Sequence, residues 1–312
     1  MSTDTLSELN YKPSKGKLFR KEWKKQIFLL VVSAILLIYG IIFYYIPLFG
    51  WITAFQDYKP GKGFLGSEWV GFKKFADLFK NPNFKFTFRN TLVMGVLNLA
   101  SGFIMNILFA LLLNEIRISA VKRVIQTISY LPHFLSWVIV SAIVRDVLSA
   151  DTGIVNELLG THINFFSETK YFWPIVMIAN VWKETGWGAI IYLAAITSID
   201  PSLYEAADMD GASRLQKMWY ITLPSLKPTI IVLLLINVGN VLNAGFELQY
   251  ILGNDVIYKV SKTIDIFVLE WGLEKFDYSL GTAAGIFKSV ISIILVLFAN
   301  WLSKKTTDEG LF

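Results

Sequence analysis

Six stretches of the chain are apolar over roughly the ~20 residues that a helix needs to cross the ~30 Å hydrocarbon core of a bilayer. They lie at about 26–49, 87–113, 124–148, 172–198, 228–252 and 279–302. Only the first is free of interruption; the others carry Asn, Lys, Glu or Arg within the run. The pattern predicts an all-α integral membrane protein of six transmembrane helices. It divides the chain into a basic segment at 1–25, one membrane domain at 26–302 and a short tail at 303–312. The first run follows the basic leader without a small-residue cleavage site and is expected to be a retained span.

Charge then orients the spans. The leader sets Lys12, Lys15, Lys17, Arg20, Lys21, Lys24 and Lys25 against Asp4, Glu8 and Glu22, which by the positive-inside tendency places it in the cytoplasm. Six crossings return the tail to the same side. The first outer loop, 50–86, carries six lysines and runs against that tendency. Its aromatics, among them Trp69, Phe72, Phe75 and Phe79, suit either short amphipathic helices in the interface or an aromatic belt at the span ends.

Composition narrows the chemistry. Hydrophobic residues make up 54% of the chain and charged ones 17%, where a soluble domain spends about a quarter of its residues on charge. There is no cysteine and there are two histidines, which excludes thiolate zinc sites, iron–sulfur clusters and disulfides. The pI of about 9.1 reflects basic residues flanking apolar runs, so no nucleic-acid partner is expected. No G-x-x-x-x-G-K-[ST] loop is present to cradle ATP, and no H-E-x-x-H or G-x-S-x-G to catalyse hydrolysis. The expectation is a noncatalytic protein with no cofactor and no metal of its own.

The segment between the fourth and fifth runs, about 199–227, reads as a helix–turn–helix elbow. Asp200 ahead of Pro201 starts a helix, with a capping-box option in Ser202 and Glu205. Asp210-Gly211 breaks it, because glycine accepts the backbone angles of a sharp bend. A second short helix from about Ser213 carries Leu215, Met218 and Trp219 on one face, and Pro224 is expected to end it. A plain connector and a docking element fit these features equally.

The residue pattern separates the two. Glu205-Ala206-Ala207, three residues, Gly211, then nine residues to Ile221-Thr222-Leu223-Pro224 resembles the EAA loop of the permease subunits of binding-protein-dependent ABC importers. In that family the loop is a coupling helix docked on a separate ATPase subunit. The resemblance extends that role to Glu205, Ala206, Ala207 and Gly211, with Asp208, Asp210 and Leu215 beside them, and makes the loop cytoplasmic. It covers nearly the whole chain, from about Ile27 to Leu302. Asp208-Met209-Asp210-Gly211-Ala212, Tyr130-Leu131-Pro132-His133-Phe134-Leu135-Ser136-Trp137 and Asn180-Val181-Trp182-Lys183-Glu184-Thr185-Gly186-Trp187-Gly188 resemble the carbohydrate branch. Within it the chain is similar to the larger permease half of maltose-type importers and to permeases for polysaccharide-derived oligosaccharides. It lacks the large extracytoplasmic insertion of the maltose-type protein. The resemblance implies a second permease subunit, two ATPase subunits that bind ATP and Mg, an extracytoplasmic sugar-binding protein and a bacterial-type cytoplasmic membrane.

Two polar stripes bear on the substrate. Asn180, Lys183, Glu184 and Trp187 fall on one face of the fourth run at helical spacing. They suit either a sugar path, with hydroxyl partners and an indole for a pyranose face, or ion pairing that holds the bundle together. Asn237, Asn240, Asn243 and Glu247, spaced 3, 3 and 4, form a comparable stripe on the fifth run, again as path lining or as interhelical glue. Arg145-Asp146 is expected to cap and pair, and His133 to be a packing histidine. Gly281, Gly285 and Ser289 make a small-residue packing face, beside which Lys288 reaches an acidic group such as Glu247 on the fifth span or snorkels toward an interface. A different class of function, an ion-coupled secondary transporter, would use Lys183, Glu184 and Glu247 as ion ligands.

Overall fold

The computed structural model describes the backbone of residues 15–307 and the side chains of residues 26–305. Most of the basic leader and the end of the tail fall outside the described residues, as does the bearing of their charges on orientation. The chain divides into two compact units, residues 1–52 and 53–312. In the first, α1 (Lys15–Gly40) runs through a π-helical turn, Ile41–Tyr45, into a 3₁₀ run, Ile46–Phe55. From Ile27 to Phe49 no described side chain is buried. An apolar helix with no buried face has hydrocarbon as its natural solvent.

The second unit opens with a small hairpin. Strand β1 (Gln56–Asp57) pairs antiparallel with β2 (Glu68–Trp69), and an amphipathic helix, α2 (Lys73–Lys80), follows with Leu78 fully buried. Lys74 holds the hairpin down: its Nζ lies 2.8 Å from Asp57 Oδ1 and 3.4 Å from Asp277 Oδ1. The helix agrees with the amphipathic reading of this loop. The strands carried no signal, because each is two residues long.

Seven further helices build the body: α3 (Pro82–Asn114), α4 (Ser119–Tyr130), α5 (Trp137–Val147), α6 (Ile154–Leu159), α7 (Thr169–Thr197), α8 (Pro201–Met209) and α9 (Arg214–Lys217). Five more complete it: α10 (Lys227–Gly239), α11 (Glu247–Leu252), α12 (Tyr258–Ser261), α13 (Ile264–Leu269) and α14 (Tyr278–Thr307). α3 and α7 are the central pair. Near one end of α3, Phe84 joins Ile264, Phe267, Leu280 and Ala284 in one apolar cluster. Its other end, Ala110 to Leu113, packs with Ala189, Leu193, Ile196 and Leu226, where the chain leaves the elbow. Close backbone approach sets the fit of α7: a Cβ on Gly186 would stand 2.1 Å from the Ser129 carbonyl oxygen of α4.

Among the described residues three helices are long and apolar enough to cross a membrane, Gln26–Phe55, Pro82–Asn114 and Tyr278–Lys305. Two bent pairs raise the number to five. α7, at 29 residues, reaches ~43 Å at 1.5 Å per residue but carries Lys183 and Glu184 and is not among them. The expectation of continuous third and fifth spans is corrected. The third turns by 103° between Phe134 and Trp137: Pro132 offers no N–H, Leu131–Phe134 tightens to 3₁₀, and Ser136 caps α5 through Ile139 N at 3.3 Å. The fifth stops at Gly239, and a turn held by Asn240 N to Asn237 O and Asn243 N to Asn240 O replaces it. Pro224 does not end the second elbow helix. The helical run continues through a π turn, Met218–Thr222, to Ser225 and bends by 57° before α10.

Lys288 reaches an acidic group, as one of the two expectations had it, but the group is Asp265 on α13 and not Glu247: Nζ donates to both carboxylate oxygens at 2.6 and 2.8 Å. Gly281 does pack closely, its Cβ position 3.0 Å from Gly272 Cα, whereas Gly285 meets nothing within 4 Å.

Candidate functional site

The elbow is shaped by backbone chemistry at each joint. Asp200 caps α8, accepting from Ser202 N at 2.9 Å. The hydrogen bonds from Ser202 hold its carboxyl below the usual carboxylate range. The capping box expected at Ser202 and Glu205 forms instead at α9, where Ser213 and Gln216 satisfy each other's backbone N–H. Between the helices, Gly211 takes φ +74°. That lets Gly211 N donate to Asp208 O at 3.1 Å and Ala212 N to Ala207 O at 2.9 Å, the paired bonds of a Schellman end. Two side-chain ties set the angle of the elbow: Lys217 Nζ to Asp208 Oδ1 at 2.6 Å, and Tyr204 Oη to Thr222 Oγ1 at 2.9 Å.

What the elbow offers outward is mixed. Glu205, Ala206 and Asp210 are exposed, and beside them so are Met209, at 89%, and Leu215, at 66%. Asp208 is engaged with Lys217 and Ala207 is half-buried. Exposed apolar side chains rimmed by acids on a rigid projection are the composition of a docking surface.

The second feature is a cleft of about 330 Å³ between α3, α7 and α10. Glu184 and Trp187 line it from α7 and Asn237 from α10, together with Tyr192 and, from α3, Asn98 and Asn106. The two α3 amides have carbonyl oxygens that are buried without a hydrogen-bond partner among the described residues. Buried acceptors of this kind call for a donor. Asn98 and Asn106 were not singled out from sequence, although Asn90, Asn98, Asn106 and Asn114 recur every eight residues along α3 and were the signal available. Tyr192, off the predicted stripe, closes the cleft edge-on against Phe103 at 6.2 Å.

The predicted α7 stripe splits. Glu184 and Trp187 face the cleft, whereas Asn180 bonds back to Val176 O at 2.8 Å and Lys183 is buried away from it. The Lys183 ammonium donates to His133 O at 2.5 Å, lies 3.3 Å from Glu184 Oε1 and sits 5.1 Å from the Trp137 ring. His133 Nδ1 meets Glu184 Oε2 at 2.7 Å, and its ring stacks on Trp187 at 4.5 Å. His133 therefore packs, as expected, but with an acid that sequence neighbours did not reveal. The predicted α10 stripe does not exist as a helix face. Asn237 lies on the helix, Asn240 and Asn243 bond to each other in the turn at 3.1 Å, and Glu247 opens α11, exposed. Arg145 bonds the Ile251 carbonyl, in keeping with its capping role.

Residues 100–308 match the family described as binding-protein-dependent transport system inner membrane component. The chain is 45% identical over 307 residues to the polygalacturonan/rhamnogalacturonan transport system permease protein YteP of Bacillus subtilis (strain 168), covering 95% of this chain and 96% of that protein. It is 46% identical over 292 residues to Protein LplB of the same organism, covering 92% and 91%. Among solved structures, a chain of a bacterial ABC transporter involved in the import of the acidic polysaccharide alginate superposes with a TM-score of 0.85 at 40% identity, over 93% of this chain and 99% of that one.

Proposed function

The chain belongs to the binding-protein-dependent transport system inner membrane components, and from that premise we propose that it is one permease half of an ATP-driven importer of oligosaccharides. It sits in a bacterial cytoplasmic membrane with six crossings, α7 and the two bent pairs included, and with both ends and the elbow in the cytoplasm. The elbow, about 199–227, couples it to two ATPase subunits that bind ATP and Mg. A second permease chain completes the path, and an extracytoplasmic sugar-binding protein delivers the substrate, as the alginate transporter solved with a pentasaccharide-bound periplasmic protein illustrates.

The observation that most supports this reading is the elbow itself, a projection fixed by caps and ties that nevertheless leaves Met209 and Leu215 bare. On the path side, Glu184, Trp187 and Asn237 contribute to a cleft whose polar lining suits sugar hydroxyls while the indole suits a ring face. An ion-coupled carrier finds less support, since Lys183 and Glu184 engage each other and His133.

The test is purification of the tagged chain from its native membrane in mild detergent. Recovery of a second permease and an ATPase, with the ATPase alone lost in Glu205→Lys, is the expected result. A homo-oligomer lacking both partners would refute the proposal.

A further inference from the structure

The outward face of α2 carries apolar rings where a helix on a water-exposed surface would carry polar groups. Its inward face is settled: Leu78 is fully buried, the Phe75 ring meets that of Phe55 at 5.5 Å, and Lys74 is held by Asp57 and Asp277 at 2.8 and 3.4 Å. Outward, at ~100° per residue, Phe79, Phe72 and Ala76 fall within about 60° of one another, and Lys80 and Lys73 occupy the next ~60°. All five are exposed, Phe72 at 74% and Phe79 at 62%. The inward contacts fix the direction in which this face points.

Two observations bear on what covers it. The first is charge. Of the three lysines on α2, Lys74 alone forms a salt bridge among the described residues, and Lys73 and Lys80 stand in a row beside the rings. The buried core of a protein–protein interface is depleted in lysine. A helix lying in a membrane surface instead sets Phe in the acyl boundary with lysines alongside, their stems along the apolar layer and their ammonium groups among the headgroups. The second is continuity. Phe79 packs edge-on against Phe287 of α14 at 5.3 Å. From the half-buried Phe287 an exposed stripe runs along α14 through Val290, Ile294, Leu297 and Trp301, at spacings of three and four residues. α14 is one of the helices long and apolar enough to cross a membrane, and acyl chains are the natural cover for an exposed apolar stripe on such a helix. The rings of α2 prolong that stripe beyond the head of the span.

We propose that α2 is an interfacial helix: Phe72 and Phe79 enter the acyl boundary of the outer leaflet, continuous with the lipid-facing stripe of α14, and Lys73 and Lys80 bind the phosphates of anionic headgroups. The choice of leaflet rests on the topology of the importer reading; the contact with lipid does not. Through Phe84 and Phe287, which Phe79 meets at 5.9 and 5.3 Å, the helix holds the outer ends of α3 and α14 at the level of the headgroups.

The chain has no cysteine, so an introduced thiol carries a fluorophore at one known place. The test labels Phe79→Cys, Ala76→Cys, which leaves both rings intact, and Asp151→Cys, an exposed reference in the next outer loop. Each full chain, with the partners that copurify, is reconstituted in phosphatidylcholine vesicles with or without phosphatidylglycerol. Quenching by phosphatidylcholine brominated on its acyl chains should be severalfold stronger at 76 and 79 than at 151, and quenching by aqueous acrylamide severalfold weaker. Phosphatidylglycerol brominated in the same way should be preferred roughly fivefold for each lysine engaged, and in Lys73→Gln/Lys80→Gln that preference should vanish while the depth persists. Acrylamide quenching at 76 and 79 equal to that at 151 would overturn the proposal. So would protection from both quenchers, or lipid quenching relieved by the extracytoplasmic binding protein, either of which would give the face to a protein. A preference that is absent, or that survives the double substitution, would overturn the headgroup contact. Labelling of Asp151→Cys in intact cells by a membrane-impermeant maleimide tests the topology separately: failure to label from outside would overturn the choice of leaflet and leave the lipid contact to the quenching.

Discussion

Gly211 allows the coupling role of the elbow to be tested with substitutions that leave its outer surface almost unchanged. At φ +74° the residue lies where an L side chain is strained, and a Cβ there would meet nothing within 4 Å. The cost of replacing it is therefore purely conformational, about 1–2 kcal/mol for an ordinary residue, with a β-branched one at the upper end. Asn tolerates the left-handed region far better. A loss of 1–2 kcal/mol lowers the population of the closed elbow by a factor of about 5–30, because the bonds from Gly211 N and Ala212 N exist only in that conformation. Gly211→Asn should then retain most ATP-driven uptake, Gly211→Ala less and Gly211→Val least, at equal amounts of membrane-inserted chain. Hydrogen exchange at the amides of 211 and 212 should rank the variants in the same order. Wild-type uptake and protection in Gly211→Val, or an Asn variant as impaired as the Val variant, would refute the reasoning.

Further tests bear on the body of the molecule. Lys183→Met should lower the thermal stability of the purified protein by about 1.5–3 kcal/mol, the worth of a hydrogen bond from a charged donor, and adding Glu184→Gln should cost less than in the wild-type background, since the two groups face each other. Gly186→Ala should destabilise by about 1–3 kcal/mol, because the Ser129 backbone 2.1 Å away cannot yield, whereas Gly188→Ala meets only the end of the Asn106 side chain and should be milder in a thermal-shift comparison. The hydrogen bond from Lys74 holds the Asp57 carboxyl below its ordinary value of 3.8, against an opposing push from burial. The hairpin contact is thus fully present above pH 3.8 and weakens as pH falls through the lower folded value. Limited proteolysis within 57–68 should increase in that acidic window, and Asp57→Asn should remove the dependence.

Much of the architecture was legible because hydropathy reports the solvent of each helix and Gly or Pro marks its ends. The uninterrupted first run became a helix with no buried face, and Asp200, Gly211 and Ser213 punctuate the elbow where their local chemistry demands. Hydropathy averaged over a span-length window could not show that the third and fifth runs are broken, because the polar residues at the breaks, His133 in one and Asn240, Asn243 and Glu247 in the other, read equally well as a polar face of a continuous helix. The α10 stripe failed for that reason: helical spacing has no meaning across a turn. The cleft was half legible. Glu184, Trp187 and Asn237 belong to it, but Asn98 and Asn106 sit in an apolar run and acquire their place only through the packing of α3 on α7. The Asp265 partner of Lys288 and the His133 partner of Glu184 are tertiary facts that no local pattern encodes.

The corner in the third span bears on how the molecule can move. A helix that turns through 103° strips carbonyls of their helical partners, and in an apolar surrounding those carbonyls need another donor. Here the stranded oxygen of His133 is taken by the one cation buried in the middle of α7, and the ring of the same residue is gripped by Glu184 and Trp187. The corner is a brace, welded at its inside angle, and α4 can neither straighten nor slide without breaking the Lys183–His133 hydrogen bond and the Glu184–His133 contact. The bend between the elbow and α10 has no buried charge across it. The bend before α10 is therefore the joint left free to hinge, whereas α4 and α7 are tied as a single rafter.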